Sequence, residues 1–396
     1  MDCRFSKQGD ILALCLERTR MLTTLKPVHS LFPLIFIAAC TEAPLPVKPE
    51  PAVALPATVA VDATPAPGAC VDETGISYVC GIINGEDILP ISTTPWLLIS
   101  GMNGELGGNT SINGKIHLVN PADRTFSILF PGDAPVLAQN ADMFAACPGP
   151  LDVTNFSAHG LALQAMDTGP EQYRLYMTSH GAREAIEVFE IDALVTPTIK
   201  WVGCVPMPAT SWTNSLVILN DGGFLATQFM DPTGSGMAGV IAKEITGHVF
   251  EWHPGGEVSV IAGTELSGPN GIEMSDDERF VYVAAFGTQE IVRFDRSSTP
   301  PAKEVVALGI APDNVRWSAD GTLYTAGGNI TEGCGGPDCG AGWSVWEVEP
   351  ALMTAARLTG AEDGVALLGV SSAQSVGNEI WFGTYGGDRI GILPKP

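Results

Sequence analysis

Short apolar runs, broken by clusters of Gly, Asn and Asp, recur along the chain from Cys70 onward, and they recur in pairs. WLLIS (96–100) is followed by KIHLV (115–119), RLYMT (174–178) by EVFEI (187–191), and GFLAT (223–227) by HVFEW (248–252). The series continues with FVYVA (280–284) and IVRFD (291–295), TLYTA (322–326) and SVWEV (344–348), then IWFGT (380–384) and RIGIL (389–393). Every member is enriched in β-branched and aromatic residues, which marks strands. Repetition at this period predicts an all-β fold, a six-bladed β-propeller whose remaining strands lie between the pairs. WD dipeptides are absent and Gly-Gly pairs do not recur at a fixed place, so the WD40 and kelch varieties fit poorly.

The N-terminal region follows another pattern. Leu31 to Ala39 is too short to span a bilayer but suits the apolar core of an export signal, with Lys26 ahead of it. It ends in Ile37-Ala38-Ala39-Cys40, which resembles the lipobox of bacterial lipoproteins; that resemblance implies lipidation of Cys40 and a cell-envelope location, on the periplasmic face or the cell surface. Residues 1–39 are therefore read as a signal segment, with 1–20 as a mis-assigned start or an extension before Met21. Residues 40–69 are rich in Pro and Ala without periodicity and read as a semi-extended tether, leaving 70–396 for the propeller.

Composition narrows the partners. A formal net charge of -24 makes nucleic acid and anionic membrane surfaces poor electrostatic partners, while a divalent cation is easily accommodated. Membrane contact is expected only through the lipid anchor, and the body is expected to be monomeric.

Candidate chemistry falls at the repeat. Glu86, Asn214, Asn270 and Asn314 each lie eight to ten residues ahead of the first strand of a pair, and Asp313 adjoins the last. Matching offsets in a ring of blades predict matching places around the central channel. A ring of carboxylate and amide oxygens suits a hard cation such as calcium. Two of the six histidines, His159 in an S-A-H-G turn and His180 at the end of RLYMTSH, flank one strand and are expected at one end of a hairpin. Either alone also reads as a turn residue satisfied by nearby backbone.

These islands resemble the serum paraoxonase/arylesterase family, within the wider group of gluconolactonase- and regucalcin-like (SMP-30-like) propellers. GIINGEDILP (81–90), NFSAHGLAL (155–163), TNSLVILNDGGFLAT (213–227), GPNGIEMSDDERFVYVA (268–284) and APDNVRWSADGTLYT (311–325) occur in the family's order. The resemblance implies calcium ligation by Glu86, Asn214, Asn270, Asp313 and Asn314, and a His159/His180 dyad that activates water, with Asp313 as the other candidate base. It implies a calcium-dependent hydrolase of small-molecule lactones or aryl esters. Two departures stand out. The family has Asp where this chain has Ser215, and that Asp helps hold a second, structural calcium together with residues matching Asp87 and the Leu161 carbonyl. The family's terminal disulfide is also missing, since no Cys follows Cys339.

Two other readings remain open: a surface-anchored propeller that binds a sugar, peptide or protein without catalysis, and a metal-independent strictosidine-synthase-like propeller. The motifs G-x-S-x-G, H-E-x-x-H, C-x-x-C and G-x-x-x-x-G-K-[ST] are absent, which disfavours serine-hydrolase, zincin, thioredoxin-like and P-loop chemistry. Six cysteines remain after Cys40 and permit fifteen pairings, among which sequence cannot choose; spacing favours Cys70–Cys80 and Cys334–Cys339 as local loops, which would leave Cys147–Cys204 as the long-range bond. Segments 103–113, 131–152 and 231–244 are expected over the channel mouth, with an apolar rim.

Overall fold

Runs such as Phe280–Ala285 and Glu290–Asp295 bury one residue after another because each lies inside a sheet that is covered on both faces. In a computed structural model, which describes residues 75–104, 112–328, 342–362, 367 and 369–395, twenty-five strands form six blades, antiparallel but for one short edge strand. β1 (Ser77–Cys80) is set apart from the others and pairs with the last strand. The first blade is β2 (Gly85–Pro90), β3 (Leu97–Gly101), β4 (Lys115–Asn120) and β5 (Thr125–Phe130). The second has β6 (Val136–Leu137) at its outer edge, then β7 (Phe156–Ala165), β8 (Gln172–Gly181), β9 (Ala185–Asp192) and β10 (Thr198–Pro206). The third is β11 (Thr213–Ile218), β12 (Phe224–Gln228), β13 (Val249–Trp252) and β14 (Ser259–Val260), with helix α1 (Gly236–Ile241) between β12 and β13. The fourth is β15 (Pro269–Met274), β16 (Phe280–Ala285), β17 (Glu290–Asp295) and β18 (Ala302–Ala307). The fifth is β19 (Ala311–Trp317), β20 (Leu323–Gly328), β21 (Trp343–Glu349) and β22 (Thr354–Ala361). The sixth is β23 (Val370–Val376), β24 (Glu379–Thr384) and β25 (Arg389–Pro394), completed by β1.

The six strand pairs read from the sequence are the second and third strands of the blades. β1 on β25, with Ser77 opposite Ile392 and Cys80 opposite Arg389, closes the ring from its two ends. The innermost strands are β2, β7, β11, β15, β19 and β23. Each breaks register with its neighbour near its start, between Gly85 and Ile88, Ala158 and Leu161, Thr213 and Leu216, Pro269 and Ile272, Pro312 and Val315, and Val370 and Ser372. A bulge of this kind re-aims the side chains it contains. His159 therefore lies inside a strand, not in the turn its S-A-H-G context predicts; the bulge is what the turn-like residues encode.

The bulged strands approach one another closely. A Cβ on Gly160 would lie 2.6 Å from the Asn214 carbonyl oxygen, and one on Gly271 would lie 2.4 Å from the Val315 nitrogen. Only glycine fits at either place. Segment 131–152 runs along the outer edge of the second blade, where β6 pairs in parallel with β10 and Cys147 is bonded to Cys204. Cys80 is also in a disulfide. The signal segment, Cys40, the tether, Cys70, Cys334, Cys339 and most of loop 103–113 lie outside the described residues.

Candidate metal centre and histidine relay

The bulges bring Glu86 from β2, Asn214 from β11, Asn270 from β15, and Asp313 with Asn314 from β19 to the inner strands' starts, and all five are buried. Side-chain hydroxyls fix the backbone beneath three of them. Thr178, Thr227 and Ser371 donate to the carbonyls of Asn214, Asn270 and Glu86, at 2.7, 2.6 and 2.7 Å. Each hydroxyl belongs to the preceding blade, so these three positions are set by their neighbours.

Asn314 donates its Nδ2–H to Glu86 Oε1 at 2.5 Å. That bond leaves Glu86 Oε2 and Asn314 Oδ1 without partners, and Asn214 Oδ1 and Asn270 Oδ1 are likewise buried and unpartnered. Four such oxygens facing no protein donor are costly unless a bound cation or water satisfies them. Burial first, and the Glu86 carboxylate second, push the Asp313 carboxyl well above the usual carboxylate range, against a hydrogen bond from Asn270. Two carboxylates and three amide oxygens fit a hard divalent ion such as calcium. Among the described residues no cluster of three or more His, Cys, Asp or Glu forms a metal site; here amides complete the set.

His159 stands beside this ring, its Nε2 3.6 Å from Glu86 Oε1. Its Nδ1 meets His180 Nε2 at 2.8 Å, and His180 Nδ1 meets Glu184 Oε1 at 2.5 Å. The other Glu184 oxygen accepts from the Thr213 backbone N–H at 3.2 Å. A carboxylate only accepts, so His180 donates from Nδ1 and, when neutral, accepts at Nε2. His159 then donates from Nδ1 and presents the lone pair of Nε2. The structure thus brings the two sequence-predicted histidines together and adds Glu184, whose only sequence signal is its place four residues after His180.

Three other neighbours carried little signal. Trp212 lies edge-on to His180, with ring centroids 5.8 Å apart, and joins Phe229, Met230, Met237, Val240 and Phe286 in an apolar wall built partly on α1. Tyr385, in the turn after β24, has its phenol pushed up to about 12 by burial and then by Asp313. Arg316, two residues past Asn314, is buried one layer beneath the ring. Its Nε donates to Asp87 Oδ1 at 3.0 Å, its Nη2 to Asp87 Oδ2 and to the Leu161 carbonyl at 2.8 Å, and its Nη1 to Glu273 at 3.1 Å. Burial pushes the Glu273 carboxyl up to about 7 against the pull of Arg316. Below this cluster a cavity of about 480 Å³ opens at the other end of the inner strands, lined by Leu89, Leu163, Glu273, Arg316, Trp317 and Gln374 among others.

Residues 205–350 match the family model described as the SMP-30/Gluconolactonase/LRE-like region, which covers β11 to β21 and three of the ring residues' blades. No curated protein matches the chain. Among solved structures, a gluconolactonase from Xanthomonas campestris shares 18% identity at a TM-score of 0.50, over 81% of this chain and 89% of that one. A luciferin-regenerating enzyme shares 11% at 0.48, over 80% and 94%, and virginiamycin B lyase from Staphylococcus aureus 12% at 0.46, over 81% and 99%. The likeness to the gluconolactonase, at this identity, is one of fold.

Proposed function

We propose that this propeller, with its SMP-30/gluconolactonase/LRE-like region, is a lactonase-type hydrolase acting on small-molecule lactones or aryl esters. In this reading Glu86, Asn214, Asn270, Asp313 and Asn314 hold a calcium ion. The observation that carries it is the set of four unpartnered buried oxygens beside a histidine whose relay leaves its Nε2 lone pair free. The family match over residues 205–350 supports the same class of chemistry.

When bound, calcium would polarise the substrate carbonyl as a Lewis acid and offset the charge of the tetrahedral state. The chain's own residues do the rest. His159 Nε2 takes the proton of the attacking water, and the donation from its Nδ1 to His180 holds the ring in the productive tautomer. Glu184 fixes His180 and offsets positive charge passed along the pair, as the acidic member of a triad does for its histidine. Asn314 shares one Glu86 oxygen, leaving the second for the ion. The wall of Trp212, Phe229, Met237 and Phe286 gives the apolar body of a substrate a dry surface. Lipid attachment at Cys40, with the body in the cell envelope, belongs to the same proposal.

The test is hydrolysis of a broad panel of lactones and aryl esters by the chelator-stripped chain, before and after calcium is restored. Hydrolysis that appears only with calcium is expected. Activity that survives full chelation overturns the metal mechanism. Bound calcium without hydrolysis of any panel member points instead to a binding propeller.

A further inference from the structure

We infer that Arg316 is a built-in structural cation, a guanidinium standing where the resembled family holds its second calcium. The residues do not fit a metal ion there. Asp87 is fully buried, and both its oxygens accept from Arg316. The Leu161 carbonyl, the other oxygen the resemblance assigns to a second calcium, accepts from the same guanidinium. Ser215 brings no charge, and its hydroxyl has no hydrogen-bond partner. A divalent ion at these oxygens would sit against a fixed positive charge in a buried site, so the two exclude each other.

Arg316 does what a cation would do for the ring. From β19 it reaches Asp87 on β2, Leu161 on β7 and Glu273 on β15, so one side chain ties together inner strands of four blades. Its planar fork, with several donors aimed at once, suits such a bridge; a lysine point charge would satisfy fewer acceptors. The Leu161 N–H adds a bond of 2.8 Å to Asp87, so the carboxylate is held from two sides. The clasp also separates the oxygen ring from the cavity at the opposite end, which Arg316 and Glu273 line. This inference stands whether or not the chain hydrolyses lactones, because its test reads metal count and thermal stability.

The experiment compares the whole chain with Arg316→Ala, Arg316→Lys and Arg316→Met, each dialysed against chelator or against calcium alone. The parent chain should bind no more than one calcium. Arg316→Ala should lose on the order of 10 °C in Tm under chelator, because it strands Asp87 in the interior. Calcium should restore most of that loss and raise the bound metal by one ion per chain, since removal of the guanidinium opens a site with Asp87, Glu273 and the Leu161 carbonyl around it. If Arg316→Ala folds under neither condition, the other two variants decide: Arg316→Lys should keep more of the parent Tm than Arg316→Met. Two calcium ions in the parent chain, an Arg316→Ala Tm equal to the parent's, or Arg316→Met as stable as Arg316→Lys would each overturn the inference.

Discussion

His159 Nδ1 and His180 Nε2 lie 2.8 Å apart, and the contact has a direction because Glu184 occupies the far side of His180. The carboxylate, not either imidazole, decides which nitrogen of His159 is bare. Glu184→Ala should therefore lower kcat by about ten- to a hundredfold, within the range of general-base effects, with KM and calcium binding little changed. Glu184→Gln, which still accepts from His180, should fall between. Steady-state kinetics with calcium titration will check this. A rise in KM alone would assign Glu184 to substrate binding.

His159→Gln should keep the metal and lose turnover. Glu86→Gln and Asp313→Asn should weaken calcium binding by removing charge from the ring, and abolish hydrolysis with it. Calorimetric calcium titration separates the two outcomes. A His159→Gln protein with full activity would move the base to Asp313.

Acid should destabilise the protein through His117. Burial, opposed by a hydrogen bond to the Ile99 carbonyl and aided by Lys115, lowers this histidine from 6.5 to about 4. The folded state thus favours the neutral ring. Its contribution is fully present above the unfolded pKa of 6.5 and is lost as pH falls through about 4. The loss is about 3 kcal/mol when the buried ring must charge. Urea unfolding at pH 7 and pH 4 should show that slope, and His117→Phe should flatten it.

The Cys147–Cys204 bond closes a loop with a sequence separation of 57. Chain entropy puts its worth on the order of 4 kcal/mol, so a Cys147→Ser/Cys204→Ser protein should melt roughly 6 °C lower. Hydrolysis at room temperature should persist, because the bond lies at the outer edge of its blade. Differential scanning calorimetry and a lactone assay on one preparation will test both halves.

Cys40 carries the expectation of a lipid anchor. Metabolic labelling with a fatty-acid probe should mark the parent chain and not Cys40→Ser. Label retained in the variant would remove the anchor from the proposal.

The middle strands were legible in the sequence because both their faces are covered, and the chain writes them as continuous apolar runs. The innermost strands were not. PNGIEM and APDNVRW interrupt their apolar pattern with the residues that face the axis, and the bulge removes the alternation a strand would show. The outer strands were hidden for the opposite reason: β18 (AKEVVA) is mostly exposed and reads as a loop. Four of the five ring positions, Glu86, Asn214, Asn270 and Asn314, could still be singled out, because their offsets from legible strands repeat, and Asp313 adjoins the last of them. Glu184 and Arg316 could not, since each occurs once and no repeat points to it. A lone arginine within a strand otherwise destined for burial was the one available clue.

The pairing of Ser77–Cys80 with Arg389–Ile392 makes the last blade a joint product of the propeller's first and last strands. Five blades can be assembled as their residues become available, but the circle stays open until the final hairpin is supplied. A chain cut just before Arg389 would keep every ring residue and the histidine relay. It would lack β25, however, leaving β1 and β24 with unpaired backbone edges. Such edges pair with whatever strand is offered. The open edges of β1 and β24 in one copy can pair with those of another, so damage at this seam should appear as self-association before it appears as a change in the centre.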